Sequence, residues 1–158
     1  MPIEIERKFL VIKDIWNKVE KPIGEYYRQG YLLASPEKTI RVRLTPSSAY
    51  LTIKGKTSGT TRLEYEYEIP QAEAIEQLNI FAESELSKTR FKVFFEGKIW
   101  EVDEFHGDNE GLLIAEIELN SEDESFMKPE WVGEEVTGRN QYYNSNLTAH
   151  PFKSWASN

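Results

Sequence analysis

Charged side chains recur at every second position along this chain. Glu4 and Glu6, Glu101 and Asp103, and Glu116 and Glu118 form acidic pairs two residues apart. Arg41 and Arg43, and the triplet Lys88, Arg90 and Lys92, form basic ones. Arg62 leads Glu64, Glu66 and Glu68 at the same spacing, and Lys54 and Lys56 join the basic set if a strand runs on through Gly55. At a period of two, each set lies on one side of a β-strand. An ordinary sheet with one apolar and one hydrated face shows the same alternation. Uniform sign within a strand is harder to explain that way, because like charges side by side gain little from each other. Basic pairs are compensated by an anion and acidic pairs by a cation. Carboxylate oxygens as the only ligands suit Mg²⁺ or Mn²⁺ better than zinc. Several Lys and Arg together with a divalent cation match a polyphosphate: guanidinium forks and ammonium point charges hold its oxygens while the metal offsets the remaining charge.

The elements that must position these residues are mostly strands. Ile3 to Val11 places Ile3, Ile5, Phe9 and Val11 opposite Glu4, Glu6 and Lys8. Comparable segments are Tyr26 to Leu33, Lys38 to Leu44, Ala49 to Lys54, Arg62 to Ile69, Lys88 to Glu96, Lys98 to Phe105 and Leu112 to Leu119. That makes eight strands, with a tight hairpin signal at Glu96-Gly97. Helices are expected over Asp14 to Lys21, over Gln71 to Leu86 after Pro70, and from a capping box at Ser121 to Glu124. The tail from Gly138, rich in Asn and Tyr, has no assigned element. One mainly β (α+β) domain over residues 1–158 is the expected organisation. An eight-stranded barrel leaves room inside for one small ligand. Its apolar faces, such as Val42 with Leu44 and Ile117 with Leu119, would then lie outward beneath the helices.

Composition removes other chemistries. The chain of 158 residues carries 19 Lys and Arg against 27 Asp and Glu, a net charge of −8. A negative field disfavours nonspecific binding to nucleic acid or to anionic membranes. There is no cysteine, hence no disulfide, thiolate zinc site or cysteine nucleophile. His106 and His150 are too few for a histidine-rich metal site; the first reads as a loop residue and the second as an exposed one. No G-x-S-x-G elbow is present. Gly55-Lys56-Thr57 resembles the end of a P-loop, but Tyr50 stands where that pattern needs glycine. No apolar run or leader pattern argues for membrane insertion or secretion, so the cytoplasm is the expected location.

Taken in order, these segments resemble the CYTH or triphosphate tunnel metalloenzyme superfamily. Glu4-Ile5-Glu6-Arg7-Lys8 is similar to its E-x-E-x-K signature. The likeness continues through Gln29-Gly30-Tyr31-Leu32, Arg41-Val42-Arg43, Leu51 to Lys56, Arg62 to Pro70, Lys88-Thr89-Arg90, Trp100 to Phe105, Ala115 to Leu119 and Glu135-Val136-Thr137. The resemblance implies an eight-stranded antiparallel β-barrel tunnel with a few peripheral helices, binding a triphosphate with Mg²⁺ or Mn²⁺. It implies that Glu4, Glu6, Glu116 and Glu118 hold metal. Lys8, Arg41, Arg43, Lys54, Lys56, Arg62, Lys88 and Arg90 would bind substrate. Tyr31 would pair with Lys8, and the last-strand carboxylates Glu116 and Glu118 would accept the proton of an attacking water. Glu64, Glu66 and Asp103 receive no role. The Q-G-Y-L and A-E-I-E-L segments look like those of short bacterial members, inorganic tripolyphosphatases. Cyclisation of ATP and hydrolysis of thiamine triphosphate use the same motifs and stay open, as do a homodimer and a noncatalytic polyphosphate- or nucleotide-binding module. Trp100 and Trp131 could flank a thiamine ring, but core packing is the simpler role for both.

Overall fold

A computed structural model describes residues 2–155. Its strands are β1 (Ile3–Val11), β2 (Glu25–Ala34), β3 (Lys38–Leu44), β4 (Ala49–Gly55), β5 (Thr61–Glu68), β6 (Ser84–Phe95), β7 (Lys98–Phe105), β8 (Leu113–Glu118) and β9 (Val132–Glu135). The helices are α1 (Lys13–Trp16), α2 (Gln71–Phe81) and α3 (Asn144–Ala149). Every strand pair is antiparallel, in the order β5-β4-β3-β2-β6-β7-β8-β1, and β5 returns to β1 to close an eight-stranded barrel.

Closure depends on β1. One of its edges pairs with β8 from Glu6 to Leu10. The other is divided: Ile3 to Ile5 pairs with β5, and Phe9 and Val11 pair with β9. The barrel is therefore zipped shut at the start of β1 and parted from β5 at its end, where β9 covers the exposed edge. This ninth strand carries too short an alternation to be read from sequence. Gly133 is what admits it, since a Cβ there would lie 3.2 Å from the Leu10 carbonyl oxygen.

The apolar faces point outward, as the alternation requires of a barrel with a charged interior. Phe9, Trp100, Val102, Ala115 and Ile117 are covered by Trp16 of α1, by Trp131 and by Leu119. Trp100 and Trp131 are thus core residues. On another side, Ala74 and Leu78 of α2 pack on Val42 and Ala49. Full burial of a side chain such as Val42 or Leu78 stabilises by about 1.5–3 kcal/mol. A third cluster lies at one end of the barrel, where Leu86, Phe105 and Ile114 meet Val136, Tyr142 and Leu147. Leu86, Phe105 and Ile114 follow the inward parity of Lys88, Asp103 and Glu116, so the Asn- and Tyr-rich tail closes that end as a plug.

Three helix expectations are corrected. The first helix is the single turn Lys13–Trp16 rather than Asp14 to Lys21. The second stops at Phe81, because Ser84, Glu85 and Leu86 pair with Tyr31, Gly30 and Gln29 and sheet pairing overrides helix propensity there. At Ser121 the capping groups bond within a turn instead: Asn120 N–H donates to Glu124 Oε1 at 2.6 Å and Ser121 Oγ to Asp123 Oδ1 at 2.8 Å. Such local side-chain bonds compete with helix formation.

Gly30 lies where α2 ends against β2. A Cβ there would come within 2.8 Å of Leu78 Cδ2 and 2.9 Å of the Ala82 Cβ, which has no rotamer through which to withdraw. Gly30→Ala is therefore expected to destabilise by about 1–3 kcal/mol through overpacking. Thermal or urea unfolding followed by circular dichroism measures this, and an unchanged midpoint would show that α2 is not held against β2 at this contact.

Candidate active site

Inside the barrel is a cavity of about 190 Å³. Seven cations line it (Lys8, Arg41, Arg43, Lys54, Arg62, Lys88 and Arg90), together with seven carboxylates (Glu4, Glu6, Glu64, Glu66, Glu101, Glu116 and Glu118). Strand register explains their meeting. Glu4 faces Arg62 across β1 and β5, Lys8 faces Glu116 and Glu6 faces Glu118 across β1 and β8, and Arg90 faces Asp103 across β6 and β7. Tyr31, Arg41, Thr52 and Glu66 form a row across β2 to β5.

The structure thus gathers every sequence-derived site residue except Lys56. The strand ends at Gly55, so Lys56 no longer shares the inward face of Lys54. It is exposed and sits 3.8 Å from Glu37. It lines instead a neighbouring cleft of about 820 Å³, which shares Thr39, Arg62, Tyr143 and Ser145 with the inner cavity and also carries His150. Lys92 is likewise exposed, beyond the cavity. Tyr31 lines the cavity, but the Lys8 ammonium meets other partners: Tyr142 O at 3.3 Å, Glu116 at 3.7 Å and the Tyr143 ring at 5.1 Å. His106 stays outside on β7's end, bonded to Thr89 at 2.7 Å and stacked on Tyr26.

Two ionic networks organise the wall. In the first, Arg90 donates to Asp103 at 2.7 and 2.8 Å and to Glu116 at 2.8 Å, with Glu101 at 3.3 Å. Lys88 Nζ also reaches Asp103, at 2.7 Å. In the second, Lys54 bonds Glu4 at 3.0 Å and Glu64 at 3.1 Å, while Arg62 approaches Glu4 at 3.6 Å. Arg41 bonds Thr52 at 3.2 Å, and its buried Nε has no partner. An orphaned guanidinium N–H at a cavity wall is a donor that an anionic oxygen would satisfy.

The carboxylates divide by environment. Burial works to raise Glu116, but Lys8, a hydrogen bond shared with Glu6, Arg90 and Lys88 together hold it well below the usual carboxylate range. Burial likewise opposes Lys54 and Arg62 at Glu4, and the cations prevail. Glu6 is pushed well above its ordinary value by burial and then by Glu116 and Glu4. Glu118 is raised by burial, Glu4 and Glu101. Among the described residues neither Glu6 nor Glu118 has a cationic partner within 4.0 Å, although they stand directly opposite each other. Like charges so placed destabilise a sheet. Their oxygen donors therefore fit a hard divalent cation, which would relieve that opposition, with Glu4 and Glu116 beside them. No group of three acidic or imidazole side chains is already gathered at ligating distance among the described residues. Glu4 and Glu116 would have to give up cationic partners for the four carboxylates to close on an ion.

Several cavity residues carried no sequence signal. Tyr143, Asn144 and Ser145 come from the plug. Asn144 Oδ1 accepts from Lys88 Nζ at 2.7 Å and from Gln29 Nε2 at 3.0 Å. The Tyr143 ring lies under Lys8 and, at 5.5 Å, under Arg62. Asp103, fully buried behind the lining, balances Lys88 and Arg90. Glu101, Glu64 and Glu66 had been visible only as charged alternation.

A charged tunnel in a closed barrel coincides with a family match, since a CYTH domain spans residues 2–150. The chain belongs to the CYTH family. It is similar to the inorganic triphosphatase of Acetivibrio thermocellus, 51% identical over 153 residues that cover 96% of this chain and 97% of that protein. It is 36% identical over 154 residues to the inorganic triphosphatase of Nitrosomonas europaea, covering 91% of this chain and 95% of the other. The crystal structure of the inorganic triphosphatase NE1496 superimposes with a TM-score of 0.65 at 31% identity, over 94% of this chain and 95% of that one. This CYTH chain has no helix, among its described residues, long and apolar enough to cross a membrane.

Lys88 offers a test of the cavity's electrostatics. Burial, with Arg90 and Arg43 acting in the same direction against Asp103, brings its ammonium down to about 7. The unfolded chain then holds this proton more tightly than the folded one. The resulting destabilisation is fully present below about pH 7 and is relieved as pH rises toward the ordinary lysine value of 10.5. Lys88→Met is expected to shift the melting temperature of the ligand-free protein more favourably at pH 6.5 than at pH 9.5, whatever the constant cost of leaving Asp103 with one partner fewer. An equal shift at both pH values would place the Lys88 ammonium in an ordinary, charge-compensated setting.

Proposed function

We propose that this CYTH chain is a divalent-metal-dependent inorganic triphosphatase, cleaving tripolyphosphate to pyrophosphate and phosphate. The observation that carries the reading is the cavity inside the barrel, with seven cations and seven carboxylates on a wall that offers hardly any apolar surface. A plain anion binder has no use for so many carboxylates. Naming of the two curated relatives as inorganic triphosphatases supports the same conclusion.

In this reading Arg41, Arg43, Lys54, Arg62, Lys88, Arg90 and Lys8 receive the phosphate oxygens. Arg41 supplies its unpartnered Nε, and Lys8 is held by Tyr142 O and the Tyr143 ring beside Glu116. Fixing the chain this way orients the terminal phosphorus toward water and stabilises charge as the bridging bond stretches. Water adds its oxygen to the terminal phosphorus, the bridging oxygen leaves with pyrophosphate, and the water proton passes to Glu116 and Glu118 taken together. Mg²⁺ or Mn²⁺ held by Glu4, Glu6, Glu116 and Glu118 would neutralise phosphate charge and lower the pKa of water. Tyr31, buried on the wall, is assigned to the phosphate path beside Arg41. The reading calls on a small-molecule triphosphate and on neither membrane nor nucleic acid; a homodimer and a cytoplasmic location are compatible with it.

One observation favours a second reading. The neighbouring cleft could take the organic end of a nucleoside triphosphate whose phosphates enter the inner cavity. Among the described residues its aromatic groups are Tyr143, already engaged by Lys8 and Arg62, and exposed His150. With one ring already engaged and the other an exposed imidazole, the cleft is poorly furnished to hold a base, and the inorganic substrate is preferred.

A panel of tripolyphosphate, ATP and thiamine triphosphate, each with Mg²⁺ or Mn²⁺, tests the proposal. Fastest phosphate release is expected from tripolyphosphate, with no cyclic nucleotide from ATP. Ligand-induced stabilisation without turnover of any substrate would establish a binding module instead. Glu6→Gln should lower metal-dependent turnover on the order of 100-fold or more. Its melting temperature should hold or rise, because the substitution removes a crowded carboxylate. Wild-type turnover at saturating metal would remove Glu6 from the metal ligands.

A further inference from the structure

Arg43 differs from the other cavity cations. Lys8, Arg41, Lys54, Arg62, Lys88 and Arg90 each have a carboxylate within 4.0 Å, whereas Arg43 has none among the described residues. It is held by neutral groups. Its Nε donates to Gln29 Oε1 at 3.1 Å, and its guanidinium lies 5.0 Å from the centre of the Tyr27 ring. Gln29 is fully buried and directly opposite Arg43 across β2 and β3. Its amide nitrogen continues to Asn144 Oδ1 at 3.0 Å, the same oxygen that accepts from Lys88 Nζ at 2.7 Å.

We propose that Gln29 and Asn144 are positioning residues, a neutral amide relay that fixes Arg43 and Lys88 relative to each other for adjacent phosphate oxygens. The assignment rests on the triphosphatase reading for its purpose, but the relay itself is a property of the ligand-free protein. An amide oxygen orients a cation without cancelling its charge. A carboxylate at either position would orient it equally well but would neutralise it and repel the incoming anion. Because Gln29 occupies the Arg43 Nε, both terminal nitrogens of that guanidinium are left for a forked contact with phosphate. Asn144 belongs to the plug, so the relay also ties the closed end of the barrel to β2, β3 and β6. The two amides thereby join Gln29 of the Q-G-Y-L segment to a tail that had no readable role.

The test reads Arg43 first and turnover second. In ¹H–¹⁵N spectra of the ligand-free protein, the Arg43 Nε–H signal is assigned by its loss in Arg43→Lys. Its hydrogen exchange should be slow in the wild type and about tenfold or more faster in the near-isosteric Gln29→Met. Gln29→Glu should keep that N–H protected yet bind tripolyphosphate more weakly than Gln29→Met, since it restores geometry while cancelling charge. With tripolyphosphate, Gln29→Met and Asn144→Ala should raise KM about 10- to 100-fold while kcat changes far less, with some loss of melting temperature because each leaves a buried donor unpaired. In an Arg43→Met background, Gln29→Met should cost clearly less than it does alone, the remainder coming from its bond to Asn144. Unchanged Arg43 exchange in Gln29→Met, or fully additive effects of Gln29→Met and Arg43→Met, would overturn the relay. Absence of wild-type turnover would count against the triphosphatase reading alone, because the exchange measurement still decides the relay.

Discussion

The interior of this barrel is held together by the guanidinium of Arg90. Three carboxylates that water would otherwise solvate are gathered around it, with Asp103 fully buried, Glu116 nearly so and Glu101 at the partly open side. Isolated charges cannot be buried at tolerable cost, and removing one partner of a buried pair is far worse than exchanging the whole set for apolar groups. The bidentate bond to Asp103 makes the arrangement permissible by joining β6 to β7, and the bond to Glu116 extends it to β8. Lys8 continues it to β1, the strand whose divided edge closes the barrel. Outward packing of Phe9, Trp100 and Ile117 depends on the same parity, because each charge turned inward turns its neighbour outward. The fold and the site are therefore two faces of one alternation.

That alternation is also why so much was legible in the sequence. Six of the eight barrel strands announce themselves by charges at every second residue, and three of the expected spans, Ile3 to Val11, Lys38 to Leu44 and Lys98 to Phe105, coincide with β1, β3 and β7 to the residue. Inside or outside could not be read from period alone. Same-sign clusters such as Arg41 with Arg43 favoured the inside, and the cavity lining bears them out. The illegible parts lacked charge or length. Gln29 and Asn144 are neutral amides whose importance comes from contacts between segments far apart in sequence, 115 residues in their own case. The plug has neither a helical stripe nor a strand period, because its short turns are held by Leu147 and Tyr142 reaching into the barrel end. β9 is four residues long. Lys56 misled because Gly55 ends the strand just where parity would have carried the lysine inward.

The two ends of the cavity differ in how its charges are held. Near the plug, Lys88 meets an amide as well as Asp103, and Lys8 meets a carbonyl oxygen and an aromatic face as well as Glu116. Toward Glu66, Glu101 and Glu118 the side chains are more exposed and carboxylates dominate. Neutral acceptors steer a cation without quenching it, and solvated carboxylates are the groups that can most cheaply change partners. Rigid cation placement near the plug and adjustable acid placement away from it follow from this contrast.

The Glu4–Lys54 contact then has a thermodynamic consequence. Glu4 gives both oxygens to the Lys54 ammonium, at 3.1 and 3.0 Å, and cannot offer them fully to a metal at the same time. An anion that takes Lys54 releases Glu4, and a divalent cation that takes Glu4 releases Lys54. Under the function proposed above, substrate and metal therefore assist each other by breaking the same internal ion pair. Linkage requires the assistance to be equal in both directions. Glu64, also 3.1 Å from Lys54, can keep the ammonium partly compensated during the exchange, which lowers the cost of opening the pair. Under that function the internal ion pairs of the wall are stand-ins: carboxylates would take the places of phosphate oxygens, and ammonium groups the place of the metal.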